Sequence, residues 1–155
     1  MTTAVLAPLA GRLVALDQVP DPVFATEMVG PGVAVEPSGD QVTVVSPVDG
    51  TVVKAHPHAF VVLAPSGVGI LVHLGIDTVR LEGKGFELHV ADGVTVAAGD
   101  PVVTWDVAVT RAEGLSAVVP VVAMDQPKGS VPAPGDRTVA AGEPLYELLA
   151  SPQPR

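Results

Sequence analysis

Two histidines on the two strands of one predicted β-hairpin are the residues best placed to do chemistry. His58 precedes the apolar run of residues 60–63, and His73 lies in the apolar run of residues 68–74. The turn-forming residues 64–67, A-P-S-G, separate the two runs. A loop of two or four residues centred there places His58 opposite His73, with their Cβ atoms about 5 Å apart. A three- or five-residue loop, or a bulge, would break this register.

A third histidine extends the pair toward a metal site. His56 and His58 alternate along one strand, so both are expected on the same face. Together with His73 they would supply three imidazole nitrogens, which are good zinc ligands. Asp77 could add a carboxylate oxygen. The pattern therefore allows a zinc site with His58 and His73 at its centre.

The same two imidazoles also suit phosphoryl transfer through a phosphohistidine. Two close imidazoles disfavour double protonation, so at least one should stay neutral and nucleophilic near neutral pH. The other can donate an N–H to a phosphoryl group, which carries about −1.5 to −2 charges. Phosphoryl transfer needs little from a protein beyond in-line positioning and such donors.

Other chemistries have little support in the sequence. General acid–base catalysis would call for a clustered carboxylate pair or a Ser-His-Asp order, and neither stands out. The glycine-containing strings at residues 29–32 and 83–85 match no P-loop or dinucleotide-binding fingerprint. His89 stands alone in the string E-L-H-V, and we expect it to be a partly exposed strand residue.

Composition excludes several classes of protein. The net charge of −9, from 17 acidic and 8 basic residues, argues against a nucleic-acid partner and suits a more basic protein. The absence of cysteine excludes disulfides, thiolate zinc sites and cysteine nucleophiles. No apolar run approaches the length of about 18 residues that spans a membrane. The start of the chain lacks the features of a signal peptide, so we expect a cytoplasmic protein without direct membrane insertion.

The elements that must position the histidines are short strands. Turn signals recur at intervals of roughly 8–12 residues, a pattern typical of an all-β sandwich or barrel. Residues 107–113 form the one plausible helix, residues 23–28 a short turn, and residues 126–137 an exposed loop. Besides the hairpin, strands are expected at residues 5–16 (as strand–turn–strand), 33–35, 41–45, 51–55, 86–90, 95–97, 101–106, 116–123 and 144–149.

Two internal echoes predict a duplicated architecture. The string A-P-L-A-G-R-L-V at residues 7–14 returns 39 positions later as S-P-V-D-G-T-V-V. The string T-V-A-A-G-D-P-V at residues 95–102 returns 43 positions later as T-V-A-A-G-E-P-L. In each echo we expect the glycine at a corner, where a positive φ costs little. The echoes favour real internal symmetry over convergent turn chemistry.

The chain resembles a known family. This is the glucose family of enzyme IIA components of the bacterial phosphoenolpyruvate-dependent sugar phosphotransferase system. The string H-L-G-I-D-T-V at residues 73–79, with H-A-F fifteen residues upstream, carries the resemblance. It covers nearly the whole chain, with further matching strings at residues 19–25, 29–32, 47–52, 81–86 and 121–125.

The resemblance implies an antiparallel β-sandwich with an internally duplicated hairpin (barrel-sandwich hybrid) and a phosphotransferase activity. His73 would accept a phosphoryl group from phospho-HPr, with His58 stabilising the group. The group would then pass to a cysteine of the IIB domain of a sugar permease during uptake of glucose or N-acetylglucosamine. The residues matching the family's docking face are Val23, Phe24, Phe60 and Val79, with Asp21 and Asp77 meeting arginine on HPr.

The resemblance also implies an organisation for the chain. Residues 1–150 would form one domain of the glucose family, and residues 151–155 a disordered tail. The start at Met1 favours a free-standing chain over a piece of a fused transporter. A monomer is the default expectation, since the sequence does not reveal the oligomeric state. No cofactor is required for the implied activity, although the histidine pair leaves zinc binding open.

Two positions depart from the family pattern. The family usually has a small hydroxyl residue two positions before the supporting histidine, where this chain has His56. A third imidazole could replace the hydroxyl as an auxiliary donor or shift the protonation of the pair. The family also often has an acidic residue where Arg80 stands, which bears on charge matching with a partner.

A different class of function shares the architecture. Lysostaphin-like zinc endopeptidases carry an H-x-G-x-D string and an H-x-H string, which residues 73–77 and 56–58 fit. In the peptidases H-x-G-x-D comes first, and here the order is reversed. The order and the missing secretion signal argue against metal-assisted hydrolysis. A catalytically silent regulatory module of the same fold, with phosphorylation as its signal, is a second alternative.

Overall fold

The computed structural model describes residues 2–149, and strands are its main regular elements. The strands are β1 (Thr2–Leu6), β2 (Gly11–Ala15), β3 (Gly32–Pro37), β4 (Gln41–Val45), β5 (Gly50–His56), β6 (Ala59–Leu63), β7 (Gly69–His73), β8 (Phe86–Leu88), β9 (Thr95–Val96), β10 (Pro101–Asp106), β11 (Val119–Ala123), β12 (Thr138–Val139) and β13 (Pro144–Leu149). The helices are α1 (Pro22–Ala25) and α2 (Val107–Ala112), with the 3-10 helices η1 (Leu16–Gln18) and η2 (Thr78–Leu81).

The strands assemble into three antiparallel sheets. The largest has eight strands in the order β12-β2-β3-β11-β7-β6-β5-β9. A three-stranded sheet has the order β4-β10-β8, and β1 pairs with β13. Each of these pairings is antiparallel. The predicted all-β antiparallel sandwich is therefore confirmed.

Aliphatic side chains fill a core with few aromatic residues. Because side chains alternate along a strand, β7 sends Ile70 and Val72 into the main core and Leu71 to the outer face of the large sheet. Burying a side chain such as Val72 contributes about 1.5–3 kcal/mol relative to leaving it exposed. A second, smaller core lies on the outer face, where η1 and α1 pack over the sheet through Leu16, Val19 and Phe24.

The predicted duplication is visible in the strand register. In the pair of β1 with β13, Ala4 lies opposite Glu147, and in the pair of β4 with β10, Thr43 lies opposite Thr104. These pairs are related by the offsets of 39 and 43 residues that relate the sequence echoes. An irregularity in the register follows in both pairs, before Leu6 in one and before Val45 in the other. The echoes therefore mark two copies of one strand arrangement.

The glycines of the two echoes serve two different purposes. Gly99 and Gly142 have φ of 95° and 89°, in agreement with the predicted corners. Gly11 and Gly50 have no left-handed φ, so the prediction was wrong for them. A Cβ on either residue would overlap a carbonyl oxygen of the neighbouring strand. These two positions require glycine because two backbones approach closely there.

The hairpin that carries the histidines forms in a different register from the predicted one. Ala59 lies opposite His73, and Leu63 lies opposite Gly69. The loop therefore has five residues, 64–68, and the Ala64 N–H donates to the Val68 carbonyl at 2.9 Å. Val68 is only 3% exposed although it belongs to the loop. An apolar pattern cannot distinguish such a buried loop residue from a strand residue. Counting Val68 as part of the strand therefore shifted the predicted register by one residue.

The remaining predictions about elements are mostly close. Helix α2 occupies Val107–Ala112 of the predicted 107–113, and α1 overlaps the predicted turn at 23–28. The strand–turn–strand at 5–16 is not a hairpin, because β1 pairs with β13 and β2 with β3. The predicted exposed loop at 126–137 inserts Val131, 9% exposed, into the main core.

The predicted tail, residues 151–155, lies outside the described residues. Within residues 2–149, no helix is both long and apolar enough to cross a membrane.

Candidate functional site

A row of three residues crosses the outer face of the large sheet at the site. His56 on β5 lies opposite Ala59 on β6, and Ala59 lies opposite His73 on β7. Directly opposed residues of antiparallel strands point to the same face. Ala59 contributes only a methyl group, so the row leaves space between the two imidazoles.

The ring of His58 lies between them and comes from a turn. Pro57 and His58 are the two residues that connect β5 to β6. The His58 ring centroid is 5.4 Å from that of His73, with the rings edge-on at 76°. It is 5.8 Å from that of His56, with the rings stacked at 26°. The predicted proximity of His58 and His73 is confirmed, although the strand register from which it was predicted is not.

Pro57 restrains the turn that presents His58. Its ring fixes φ at about −65°, which excludes the hairpin turns that need a positive φ at the first central residue. The His58 carbonyl accepts a hydrogen bond from the Leu74 N–H at 2.8 Å. A Cβ on Gly83 would lie 3.7 Å from the Pro57 ring, so the loop after η2 packs against the turn. His58 is therefore held by a rigid backbone.

A backbone carbonyl determines which nitrogen of His73 is free to react. The Nδ1 atom of His73 lies 2.6 Å from the Gly75 carbonyl oxygen. A carbonyl can only accept, so Nδ1 must carry the proton and donate it. In the neutral ring the lone pair is then on Nε2. The sequence analysis did not include Gly75 among the site residues, although the glycine of the H-x-G string was a signal for it.

Gly75 must be glycine for the carbonyl to take this position. Its φ is 81°, and a Cβ would lie 2.7 Å from Thr78 Cγ2 and 2.9 Å from the Ser116 carbonyl oxygen. The fully buried Thr78 donates from Oγ1 to the Leu74 carbonyl at 2.7 Å. The Ile76 N–H donates to the Ser116 carbonyl at 2.9 Å. These contacts hold the segment after β7 in one conformation.

The surroundings favour neutral imidazoles at the centre of the site. Burial lowers the pKa of His73 below its ordinary value, while the hydrogen bond to Gly75 and the carboxylates of Asp21 and Asp77 act in the opposite direction. Burial also lowers the pKa of His58, and repulsion from the His73 and His56 rings adds to this effect. Both rings therefore lose their protons below the pH at which a free histidine would.

The two acidic residues hold fixed positions beside His73. Asp21 caps α1 by accepting the Val23 N–H at 2.8 Å. Asp77 precedes η2 and adopts the left-handed φ of 60°. Both lie near enough to His73 to raise its pKa against the effect of burial. They form an acidic rim beside the imidazole, and their contact with an arginine of a partner stays a prediction.

The predicted docking face divides into exposed and buried members. Val23 is 42% exposed and Val79 62%, and the neighbouring Met28, which the sequence analysis did not single out, is 70% exposed. Phe24 is only 7% exposed, and its ring packs 5.3 Å from the His73 ring. Phe24 therefore supports the imidazole from within the small core and offers a partner little surface.

Phe60 does not belong to this face. It is 1% exposed and lies in the main core, opposite Val72. Since neighbours on a strand point to opposite faces, Phe60 points away from the side to which Ala59 and His73 point. The string H-A-F matches the family, but the phenylalanine serves packing and not docking.

The three-imidazole arrangement that the sequence allows for zinc is not assembled as a cluster of metal ligands in the described residues. Within the part of the chain that the structure describes, no three His, Cys, Asp or Glu side chains gather as ligands for a metal ion. His89 lies elsewhere, directly after β8, with its Nε2 2.6 Å from Thr104 Oγ1. It is exposed, as expected, but it is not the strand residue that was predicted.

A separate cavity of about 420 Å³ opens between β1 and the hairpin loop. It is lined by residues such as Thr3, Val48 and Ser66 and contains none of the histidines. The arrangement at His73 combines a half-buried imidazole, a second imidazole 5.4 Å away, two nearby carboxylates and exposed apolar side chains. These are groups that phosphoryl transfer can use, because it needs a positioned nucleophile and neighbours that stabilise charge.

Comparison with protein families agrees with this chemistry. Residues 3–128 match the model of the family described as phosphoenolpyruvate-dependent sugar phosphotransferase system, EIIA 1. The chain is 45% identical over 120 residues to the "PTS system glucose-specific EIIA component" of Oceanobacillus iheyensis, covering 76% of this chain and 72% of that protein.

Another relative carries the same unit within a longer chain. The chain is 45% identical over 147 residues to the "PTS system N-acetylglucosamine-specific EIICBA component" of Escherichia coli, covering 92% of this chain and 22% of that protein. Among solved structures, the glucose permease IIA of Mycoplasma capricolum superimposes with a TM-score of 0.86 at 35% identity, covering 95% of this chain and 96% of that one.

Proposed function

Because the chain belongs to the EIIA 1 family of the phosphoenolpyruvate-dependent sugar phosphotransferase system, we propose that it carries the phosphoryl group on Nε2 of His73. The protein is a phosphotransferase component of that system. The single observation that carries the residue assignment is the 2.6 Å contact between His73 Nδ1 and the Gly75 carbonyl. It leaves Nε2 as the basic nitrogen of the neutral ring.

In the first step the Nε2 lone pair attacks the phosphorus of a phosphorylated donor. The Nε2–P bond forms as the bond between phosphorus and the donor atom breaks, and the donor atom keeps the electron pair. The ring retains its Nδ1 proton and gains positive charge. The Gly75 carbonyl and the carboxylates of Asp21 and Asp77 stabilise that charge, which the buried site would otherwise disfavour.

His58 stabilises the transferred group from the side. Its ring is 5.4 Å from the His73 ring, close enough for an N–H to reach a phosphoryl oxygen on Nε2. Without the group, burial and its histidine neighbours lower the His58 pKa. A dianionic neighbour has the opposite effect on a histidine, so His58 takes up a proton as the group arrives.

In the second step a cysteine thiolate of a IIB domain attacks the same phosphorus. The S–P bond forms, the Nε2–P bond breaks, and the electron pair returns to Nε2 of a neutral imidazole. Relatives that join EIIA to IIB and IIC units in one chain support this partner. The sugar that finally receives the group is glucose or N-acetylglucosamine, the sugars in the names of the two relatives described above.

The exposed apolar residues beside His73 form the surface on which both partners dock. This docking surface consists of Val23 and Val79, with Asp21 and Asp77 at its rim. The phosphoryl donor is HPr, a more basic partner whose arginine meets the acidic rim. Arg80, next to Val79, adds a positive charge to that rim and tunes the match.

The carrier works without a cofactor, because each step uses only imidazole and thiolate as nucleophiles. It acts in the cytoplasm as a monomer, and residues 1–150 form its domain. The zinc endopeptidase and silent-module alternatives are not supported, since the matches are to sugar phosphotransferase components.

The test is direct phosphoryl transfer. The protein is mixed with phosphoenolpyruvate, enzyme I and HPr, and its intact mass is followed, with His73→Ala as the control. We expect one acid-labile phosphoryl group on the wild-type protein and none on the control. Absence of the gain with a competent donor, or an equal gain on His73→Ala, would refute the assignment. Addition of a IIB domain should then remove the group.

A further inference from the structure

We propose that His56 is a positioning residue, whose stacked ring holds the His58 imidazole in the orientation that serves the phosphoryl group on His73. This inference rests on the proposed function, because it concerns the way His58 is held beside the nucleophile. It assigns a role to a side chain that touches neither His73 nor the transferred group. His56 acts through His58 alone.

The first support is the fixed place of His56 in the sheet. It ends β5 directly opposite Ala59, in the row that also contains His73. Three adjacent strands separate the two outer members of the row by roughly 10 Å, twice the spacing of neighbouring strands. An imidazole centred between them lies near 5 Å from each, in agreement with the measured 5.8 Å and 5.4 Å.

The second support is the absence of another restraint on the His58 ring. Its two ring neighbours are His73, which meets it edge-on, and His56, which stacks on its face. Ala59, which lies opposite both His56 and His73, offers only a methyl group. The histidine-ring hydrogen bonds within residues 2–149 belong to His73 and His89. The stacked His56 ring, with its centroid 5.8 Å away, is therefore the neighbour that restrains the plane of the His58 ring.

The third support is the restrained position of His56 itself. The Ala55 N–H, one residue before it, donates to the Asp92 carboxylate at 2.8 Å. The Pro57 ring on its other side packs against Gly83. The charged groups around this end of β5 are Lys54 on the same strand, Asp92, and the residues that flank Gly83, Glu82 and Lys84. The backbone of His56 is thus anchored on both sides.

Because the stacked ring restrains His58, position 56 must provide a flat aromatic ring. An aromatic pair of this kind is worth about three- to tenfold in an equilibrium. His56→Phe keeps a flat ring and removes the proton and the charge. His56→Ala removes the ring. His89→Ala is the matched control, because His89 is an exposed histidine directly after β8.

The experiment measures two quantities on each variant. The first is the orientation of the His58 ring, read from the chemical shifts of its ring protons by NMR in the unphosphorylated protein. The second is the single-turnover rate of phosphoryl transfer from the protein to a IIB thiol. The first does not depend on phosphoryl transfer, so it separates failure of this inference from failure of the proposed function.

We expect His56→Ala to shift the His58 ring protons and to slow onward transfer about three- to tenfold. His56→Phe should recover most of the rate and keep a ring-current shift on His58, and His89→Ala should match the wild-type protein. The inference is overturned if His56→Ala leaves the His58 shifts and the rate unchanged. It is also overturned if His56→Phe is as slow as His56→Ala, which would make the imidazole proton and not the stack the important property.

Discussion

The Gly75 carbonyl oxygen lies 2.6 Å from His73 Nδ1 and thereby decides the chemistry of the imidazole two residues before it. The contact is local in sequence, but its geometry depends on the left-handed φ of 81° at Gly75. The segment is held from outside by hydrogen bonds to Thr78 and Ser116. The nucleophile at the end of an inner strand of the sheet thus receives the hydrogen-bond partner of its Nδ1 from the backbone.

Gly75→Ala should impair phosphoryl acceptance, because the new Cβ would meet Thr78 Cγ2 and the Ser116 carbonyl and so displace the Gly75 carbonyl. We expect acceptance from HPr to slow by about tenfold or more, in line with the loss of an orienting hydrogen bond. Gly67→Ala is the matched control, with a similar φ of 92° and nothing within 4 Å of its Cβ. Equal effects of the two substitutions would show that backbone strain, and not the carbonyl, matters.

His58→Gln should separate the two steps of the carrier. His73 keeps its nucleophilic Nε2, so the variant should still accept a phosphoryl group. Glutamine offers a neutral amide where His58 can carry a proton, so onward transfer to a IIB thiol should slow by about 10- to 100-fold. Rapid-quench measurement of both steps checks this. Onward transfer at the wild-type rate would remove the role given to His58.

Phosphoryl acceptance should depend on pH in a stated direction. Burial lowers the pKa of His73 below the ordinary value of 6.5. The neutral, nucleophilic form therefore persists as the pH falls through 6.5, and the acceptance rate should decline only at lower pH. The rate of mass gain between pH 5 and pH 8, with donor phosphorylation held constant, gives the apparent pKa. A midpoint above 6.5 would contradict the environment described for His73.

The same shifts predict the pH dependence of stability. His58 and His73 have lowered pKa values in the folded protein, so the unfolded chain binds more protons between those values and 6.5. The free energy of unfolding should therefore rise with pH through this window. The stabilisation contributed by the two neutral imidazoles is lost as the pH falls through the same window. Urea unfolding of the wild-type protein and of the double variant His58→Gln, His73→Gln checks this. The variant should show the shallower dependence, and an equal or steeper one would refute the argument.

The docking surface is best tested at Val79, which is 62% exposed. Val79→Asp should weaken the interaction with HPr, visible as a higher KM for phospho-HPr, while the denaturation midpoint stays unchanged. Val94→Asp is the control, because Val94 is a 41% exposed valine beside Val52, far along β5 from His56. A similar rise in KM for both variants would indicate a general effect of charge and place the surface elsewhere.

Phe24→Asp would not test docking cleanly. Phe24 is 7% exposed and belongs to the small core, so the substitution would bury a charge where an aromatic ring packs. We expect a loss of stability of about 3–5 kcal/mol, similar to other losses of a buried aromatic side chain. Thermal unfolding of Phe24→Asp beside Val23→Asp, at a 42% exposed neighbour, distinguishes the two roles. Equal melting temperatures would show that Phe24 is not a core residue.

The fold class and the proximity of His58 and His73 could be predicted from the sequence. Echoes offset by 39 and 43 residues predicted a duplication that recurs in the strand register. Such signals are local, because a string of turn residues and alternating side chains forms the same corner wherever it occurs. The string H-L-G-I-D-T-V and the upstream H-A-F likewise predicted the histidine pair without a structure.

The register of the hairpin and the orientation and exposure of the site residues depend on packing between distant segments. Val68 packs into the core from within a loop, which moved the hairpin by one residue and brought His58 to His73 from the Pro57 turn. Phe60 faces the main core, whereas α1 folds back over the outer face and places Phe24 under His73. These outcomes depend on which surfaces meet across distant segments, and a pattern of neighbouring residues carries no record of that.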